Sequence, residues 1–251
     1  RSPSRGLGDV YKRQVQLGVM VLFVLIVYFA LISTKKAEQN KVWVGLSKET
    51  AHQLGTPISS LMAWMDLLES SGVDPSLLSD MNKDVNRLSV IAERFSKIGS
   101  KPEMELIYVN EVLENATEYM RRRVSDKVLI TTHLPSDAEG AMVCLSLFEW
   151  VIENLCKNAV DAMNGEGRID VYMTSEKQQI YIDIKDTGKG IARKNFKTVF
   201  NPGYTTKKRG WGLGLTLAKR IIEDYHAGRI YVKDSEVGKG TTFRIELKRV
   251  V

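Results

Sequence analysis

Hydrophobic positions along the chain change rhythm twice. Residues 15–33, VQLGVMVLFVLIVYFALIS, are apolar on every face and carry no charge. A helix of that length reaches about 28 Å at 1.5 Å per residue, which spans the hydrocarbon of a bilayer. Lys35, Lys36 and Lys41 follow at once, and the positive-inside tendency puts the C-terminal side in the cytoplasm. The pattern predicts a transmembrane helix over 15–33, anchored in the inner (cytoplasmic) membrane with the rest of the chain cytoplasmic. Apolar residues then recur at Ala51, Leu54, Ile58, Leu61, Met65 and Leu68, in alternating steps of three and four. A break at Ser70-Ser71-Gly72-Val73 precedes Asp74, a capping residue, and Pro75, suited to the first helical position. The same steps resume at Leu78, Met81, Val85, Leu88, Ala92 and Phe95. Two seams joined by a short loop predict an antiparallel hairpin within residues 34–100. One hairpin cannot bury both seams, whereas two can form a four-helix bundle, so a homodimer is expected.

From Gly99-Ser100-Lys101-Pro102 onward the rhythm shortens. ELIYVN, VLITTHL, RIDVYMT and QQIYIDIKDTG read as strands, with helices near 110–123 and 146–163 between them. RIYVKDSEVGKGTTFRIEL reads as a hairpin. Residues 101–251 are therefore expected to form an α+β domain with helices on one face of a sheet.

Charge alters this picture only at the N-terminus. The formal net charge is +6. Residues 4–14, SRGLGDVYKRQ, resemble the translation of a transposon-end adapter used in sequencing libraries, so 1–14 are expected to be an assembly scar outside the fold. Without them 32 basic residues face 29 acidic ones, and no dense basic patch remains to suggest a nucleic-acid partner. Cys144 and Cys156 have neither metal spacing nor a disulfide framework.

The chemistry begins at KETAHQLGTPISSL, residues 48–61. His52 follows the seam residue Ala51, which turns it about 100° away from the seam and out of the bundle. Pro57 removes the partner of the Gln53 carbonyl, so the helix should be loosened or bent there. Four stretches of the C-terminal domain point to a nucleotide. On ENLCKNAVDAM, Asn154, Asn158 and Asp161 share a helix face, and an amide oxygen there suits magnesium, which also keeps waters and phosphate oxygens. In DTGKG, Asp186 follows a buried strand and could accept from the exocyclic amine of adenine, while Gly188 and Gly190 let a ligand approach the backbone. GWGLGL opens a helix behind Gly210, Gly212 and Gly214, whose free N–H groups suit phosphate. GKGTTF adds Gly238, Gly240 and the hydroxyl of Thr241.

In this order the stretches resemble those of bacterial sensor histidine kinases of two-component systems. The resemblance runs from about residue 42 to the C-terminus. It makes His52 the phosphoacceptor and matches Asn154 and Asn158 to the N-box. Asp186, Gly188 and Gly190 match the first glycine box, Gly210, Gly212 and Gly214 the second, Gly238 and Gly240 the third. It implies an ATP site shared with gyrase-like and chaperone ATPases, with Asn158 on Mg2+ and Asp186 reading adenine. It also implies an ATP lid over 196–209 in which Lys207, Lys208 and Arg209 could meet phosphates. The implied activity is autophosphorylation of His52 from Mg-ATP and transfer to an aspartate on a response regulator. Family members usually carry Glu or Asp after the histidine; Gln53 stands there instead. It cannot take a proton at pH 7 but can orient the imidazole, and Glu49 is a possible substitute. Thr56 matches the position that supports dephosphorylation of the partner. The competing expectation, favoured by Gln53 alone, is an ATP-binding signalling scaffold without phosphotransfer.

Overall fold

The computed structural model describes residues 4–100, 102–206 and 212–250. The chain divides into two compact units, Arg1–Ser100 and Lys101–Val251, each described by itself below.

The first unit is two helices. α1 (Ser4–Ser70) is one unbroken helix of 67 residues, and it continues through Pro57. Its stretch Tyr11–Lys35, 25 residues with a mean hydropathy of 2.7, is long and apolar enough to cross a membrane, and none of it is buried. α2 (Pro75–Gly99) starts as its sequence directs: the Asp74 carboxylate accepts from the Ser76 N–H at 2.9 Å, and Pro75 takes the first helical position. Between them Gly72 adopts φ +79°, a left-handed turn that costs glycine little. The hairpin forms, and its seam divides in two. Ile58, Met65, Val85 and Ala92 pack as a core with Leu54 against it. The alternate positions Leu61, Leu68, Met81 and Leu88 stay 38–48% exposed. Within one chain the hairpin uses only half of the stripe that its heptads present.

The second unit is one seven-stranded sheet with helices on one face. In chain order its elements are β1 (Glu105–Tyr108), α3 (Val109–Arg121), β2 (Val128–His133), β3 (Gly140–Val143), α4 (Leu145–Ala162), β4 (Gly167–Glu176), β5 (Gln179–Asp186), α5 (Gly214–Arg220), β6 (Arg229–Glu236) and β7 (Gly240–Val250). Strand order is β1-β3-β7-β5-β4-β2, with β6 also paired to β7. All pairs are antiparallel except β2 with β4. Period-two alternation sorts the faces. Ile180, Ile182 and Ile184 of β5 point inward, beside Ile245 and Leu247 of β7, and are buried like Leu147, Ile152 and Leu155 of α4, the helix that packs on both strands. The opposite face is polar. There Asp183 is held by Arg244 through two bonds of 2.6 and 2.7 Å and by Lys233 at 2.7 Å. Although burial pushes the Asp183 carboxyl upward, these cations hold it below the usual carboxylate range.

Asp186 ends β5 on the same parity as the three isoleucines. The alternation that buries the strand therefore delivers this carboxylate to the helix side of the sheet, where it is 3% exposed.

Candidate functional site

A cavity of about 540 Å³ lies between α4, the end of β5, the start of β7 and the start of α5, a volume ordinary for a small-molecule site. Asn154, Asn158 and Asp161 all line it, as their helical spacing requires, together with Asp186, Gly190, Gly212, Gly214 and Thr241.

Asp186 is fixed by backbone. Its Oδ1 accepts from the N–H of Gly188 at 2.8 Å and of Thr241 at 3.3 Å. Both bonds fall on one oxygen, which leaves Oδ2 as the atom a ligand can use. Burial raises the Asp186 carboxyl above its ordinary value, and the two N–H donors oppose that shift. A buried carboxylate with one committed oxygen is suited to a ligand amine.

Three of the glycines are required by the packing of the protein itself. A side chain at Gly188 would meet the backbone of Ala162 at 2.8 Å, one at Gly190 would collide with the Glu236 carbonyl, and one at Gly240 with the Asp186 carbonyl. At these positions the close approach is made by the protein's own segments. Gly190 (φ +71°) and Gly240 (φ +118°) also hold backbone angles that a side chain disfavours. The loop after Asp186 can thus lie flat against α4 and the β6–β7 turn, with Lys189 N–H donating to the Ala162 carbonyl and Gly238 N–H to the Lys189 carbonyl. Gly188, Gly238 and Gly240 shape the site from behind its wall.

Gly214 faces the cavity itself. A Cβ there would sit 3.5 Å from Asn154 Oδ1 and 3.8 Å from Asn158 Nδ2, so its lack of a side chain keeps space open over both amides. Asn154 Nδ2 is buried with no hydrogen-bond partner. A buried amide nitrogen without a partner costs stability unless something polar completes it, and a phosphate oxygen in the cavity would do so. The described residues contain no cluster of three His, Cys, Asp or Glu able to hold a metal alone. The oxygen donors at hand, the Asn158 amide foremost, fit Mg2+ carried in with phosphates and waters. Lys207, Lys208, Arg209 and Gly210 lie outside the described residues.

The family described as histidine kinase-, DNA gyrase B- and HSP90-like ATPases matches residues 145–251. Sporulation kinase A of Bacillus subtilis is 26% identical over 220 residues, 85% of this chain and 36% of its own length. Sensor histidine kinase ZraS of Salmonella typhimurium is 26% identical over 226 residues, 86% of this chain and 48% of its own. Over most of its length the chain is similar to proteins named sensor histidine kinases, and residues 145–251 match the ATPase family. It spans half or less of the length of these curated relatives. Among solved structures, histidine kinase ThkA in complex with response regulator protein TrrA shares the fold at a TM-score of 0.56 and 19% identity, over 86% of this chain and 64% of that one.

The residues expected to carry phosphotransfer lie on α1 of the first unit. His52 is exposed, as its position beside the seam predicts, and so are Gln53 and Thr56. The Gln53 amide donates to Glu49 Oε1 at 2.7 Å, so Glu49, the suspected substitute acid, is already tied to residue 53. Thr56 Oγ1 lies 3.5 Å from the His52 carbonyl.

Sequence reasoning passed over two parts of the second unit. Lys189 lines the cavity and its Nζ donates to Thr206 Oγ1 at 2.9 Å. His226, which has no partner spacing in sequence, is buried with both ring nitrogens engaged. Nε2 accepts from the Cys144 N–H at 3.0 Å, and Nδ1 is 2.8 Å from the Ile221 carbonyl. The Cys144 donor fixes the neutral tautomer with the proton on Nδ1. Its partners are 82 and 5 residues away, so local spacing carries no sign of them. Cys156 is buried too, and burial pushes its thiol up to about 12, which makes it a packing residue.

Proposed function

We propose that this protein is a membrane-anchored kinase that transfers the γ-phosphoryl group of Mg-ATP to its own His52 and then to an aspartate of a response regulator. The observation that carries the reading is the meeting of Asn154, Asn158, Asp186, Gly214 and Thr241 around one cavity, in a chain whose helical unit exposes His52. In this reading Asp186 Oδ2 accepts from the adenine amine, and Asn154 Nδ2 meets a phosphate oxygen. Asn158 is the residue that would ligate Mg2+. The metal, when bound, neutralises charge on the transferring phosphoryl group. Neutral His52 attacks phosphorus through its unprotonated ring nitrogen. The bond to the bridging oxygen breaks, ADP leaves, and the proton on the other ring nitrogen becomes acidic enough for a nearby carboxylate to accept. Gln53 orients the ring, and Glu49 is the carboxylate within reach of Gln53.

Four further assignments belong to the same reading. The stretch 15–33 crosses the cytoplasmic membrane, and residues 1–14 are foreign to the protein. The half-exposed seam of Leu61, Leu68, Met81 and Leu88 is closed by a second hairpin in a homodimeric four-helix bundle. Thr56 supports dephosphorylation of the partner. The test is incubation with labelled ATP and magnesium beside a His52→Gln variant. Acid-labile, base-stable label that is absent from the variant is expected. Nucleotide binding without label would favour the scaffold instead.

A further inference from the structure

Lys189 sits between the two glycines of the loop after Asp186. Its backbone is clamped on both sides: its N–H donates to the last helical residue of α4, Ala162, at 3.0 Å, and its carbonyl accepts from Gly238 at 2.8 Å. A main chain held at both ends gives the side chain a fixed root. From that root Nζ reaches Thr206 Oγ1, 17 residues further along the chain. Both residues line the nucleotide cavity, and so do Tyr204 and Thr205. The contact therefore joins two segments of the cavity wall that share no strand pairing. Tyr204 is also backed from behind: a side chain on Gly212 would meet the Gly203 carbonyl carbon at 2.6 Å and the Tyr204 carbonyl at 2.7 Å, so the backbones pack directly. The wall over 204–206 is pressed from one side by glycine packing and held from the other by the charged hydrogen bond from Lys189.

We propose that Lys189 is a positioning residue that ties the 204–206 wall to the glycine loop and thereby slows escape of the nucleotide. This rests on the ATP-site reading above. Lys189 acts through Thr206; it does not itself hold the ligand. Both side chains are exposed, and a net hydrogen bond is worth about 0.5–1.5 kcal/mol, so its loss should speed release by roughly three- to tenfold.

The experiment uses the full chain in detergent, a fluorescent ATP analogue with magnesium, and displacement by excess ATP in a stopped-flow instrument. Lys189→Met and Thr206→Val are each expected to release the analogue about three- to tenfold faster. The double variant should be no faster than either single one, and Thr206→Ser, which keeps the hydroxyl, should stay within about twofold of wild type. Without nucleotide, the amides of 204–206 should exchange hydrogen faster in Lys189→Met. Multiplicative effects in the double variant would mean that Lys189 reaches the nucleotide directly, and would overturn the proposal. So would unchanged release in the single variants, or a serine variant as fast as the valine one. A wild-type chain with no saturable binding would instead sink the ATP-site reading, and this proposal with it.

Discussion

His226 offers a test of the second unit that needs no nucleotide. Its ring joins the end of the turn at Ile221–Tyr225, which continues α5, to Cys144, the residue that caps α4. Replacing it by Phe keeps an aromatic ring, slightly larger than imidazole, beside Phe148. It also strands the Cys144 N–H. The Ile221 carbonyl still accepts from the backbone N–H of residue 226 at 3.2 Å, so the donor at Cys144 is the larger loss. A buried N–H without a partner costs about 1–3 kcal/mol, and the second bond adds roughly 1 kcal/mol. The sum, about 2–4 kcal/mol, lowers the melting temperature of a unit this size by roughly 5–15 °C.

The pH dependence gives the sharper test. Burial lowers the His226 pKa below its ordinary 6.5, and the bond to the Ile221 carbonyl opposes that in part. Above pH 6.5 the ring is neutral whether folded or unfolded, and its contribution is complete. As pH falls below 6.5 the unfolded chain takes a proton that the folded ring refuses. Stability is then lost, at no more than about 1.4 kcal/mol per pH unit, until the folded ring titrates. The Phe variant lacks this linkage, and the other groups cancel in the difference. The gap between wild type and His226→Phe, measured by chemical denaturation of the full chain in detergent, should therefore narrow from pH 7.5 to pH 5.5. A gap that stays constant or widens refutes the neutral, buried assignment.

The remaining predictions concern the proposed chemistry. Asp186→Asn should weaken ATP binding by roughly ten- to a hundredfold, the worth of a charged hydrogen bond, with an unchanged melt; calorimetry checks it. Glu49→Gln and Gln53→Ala should each slow autophosphorylation by about tenfold at unchanged ATP affinity, and a Gln53→Ala chain as fast as wild type would remove the orienting role. Leu61→Glu with Leu88→Glu should shift the chain from dimer to monomer in light scattering, because it puts charge on the half-exposed seam; a persistent dimer would place the interface elsewhere. Thr56→Ala should keep autophosphorylation and lose dephosphorylation of the partner, read as the lifetime of the phosphorylated regulator.

What the sequence could disclose follows from how far each signal reaches. Asn154, Asn158 and Asp161 were legible because helical spacing alone puts them on one face, and one cavity receives all three. Asp186 was legible because two-residue alternation in β5 fixes its parity. The Asp74 cap and Pro75 marked the start of α2 within one residue. β3 was missed: four residues, GAMV, carry no readable period, and the strand exists because its neighbours β1 and β7 pair with it. The glycines were legible as special, but not what fills the space that each one leaves. Sequence shows that a side chain is missing, while only the fold shows whether a ligand or the protein's own backbone fills the space. At Gly188, Gly190 and Gly240 it is backbone; at Gly214 it is the cavity. His226 and Lys189 mark the limit from the other side, since both act through partners set by tertiary packing. A site of this kind is thus written twice. The amides and carboxylate that line its cavity are written in local periodicity, and the supports that hold them are written in contacts across the fold.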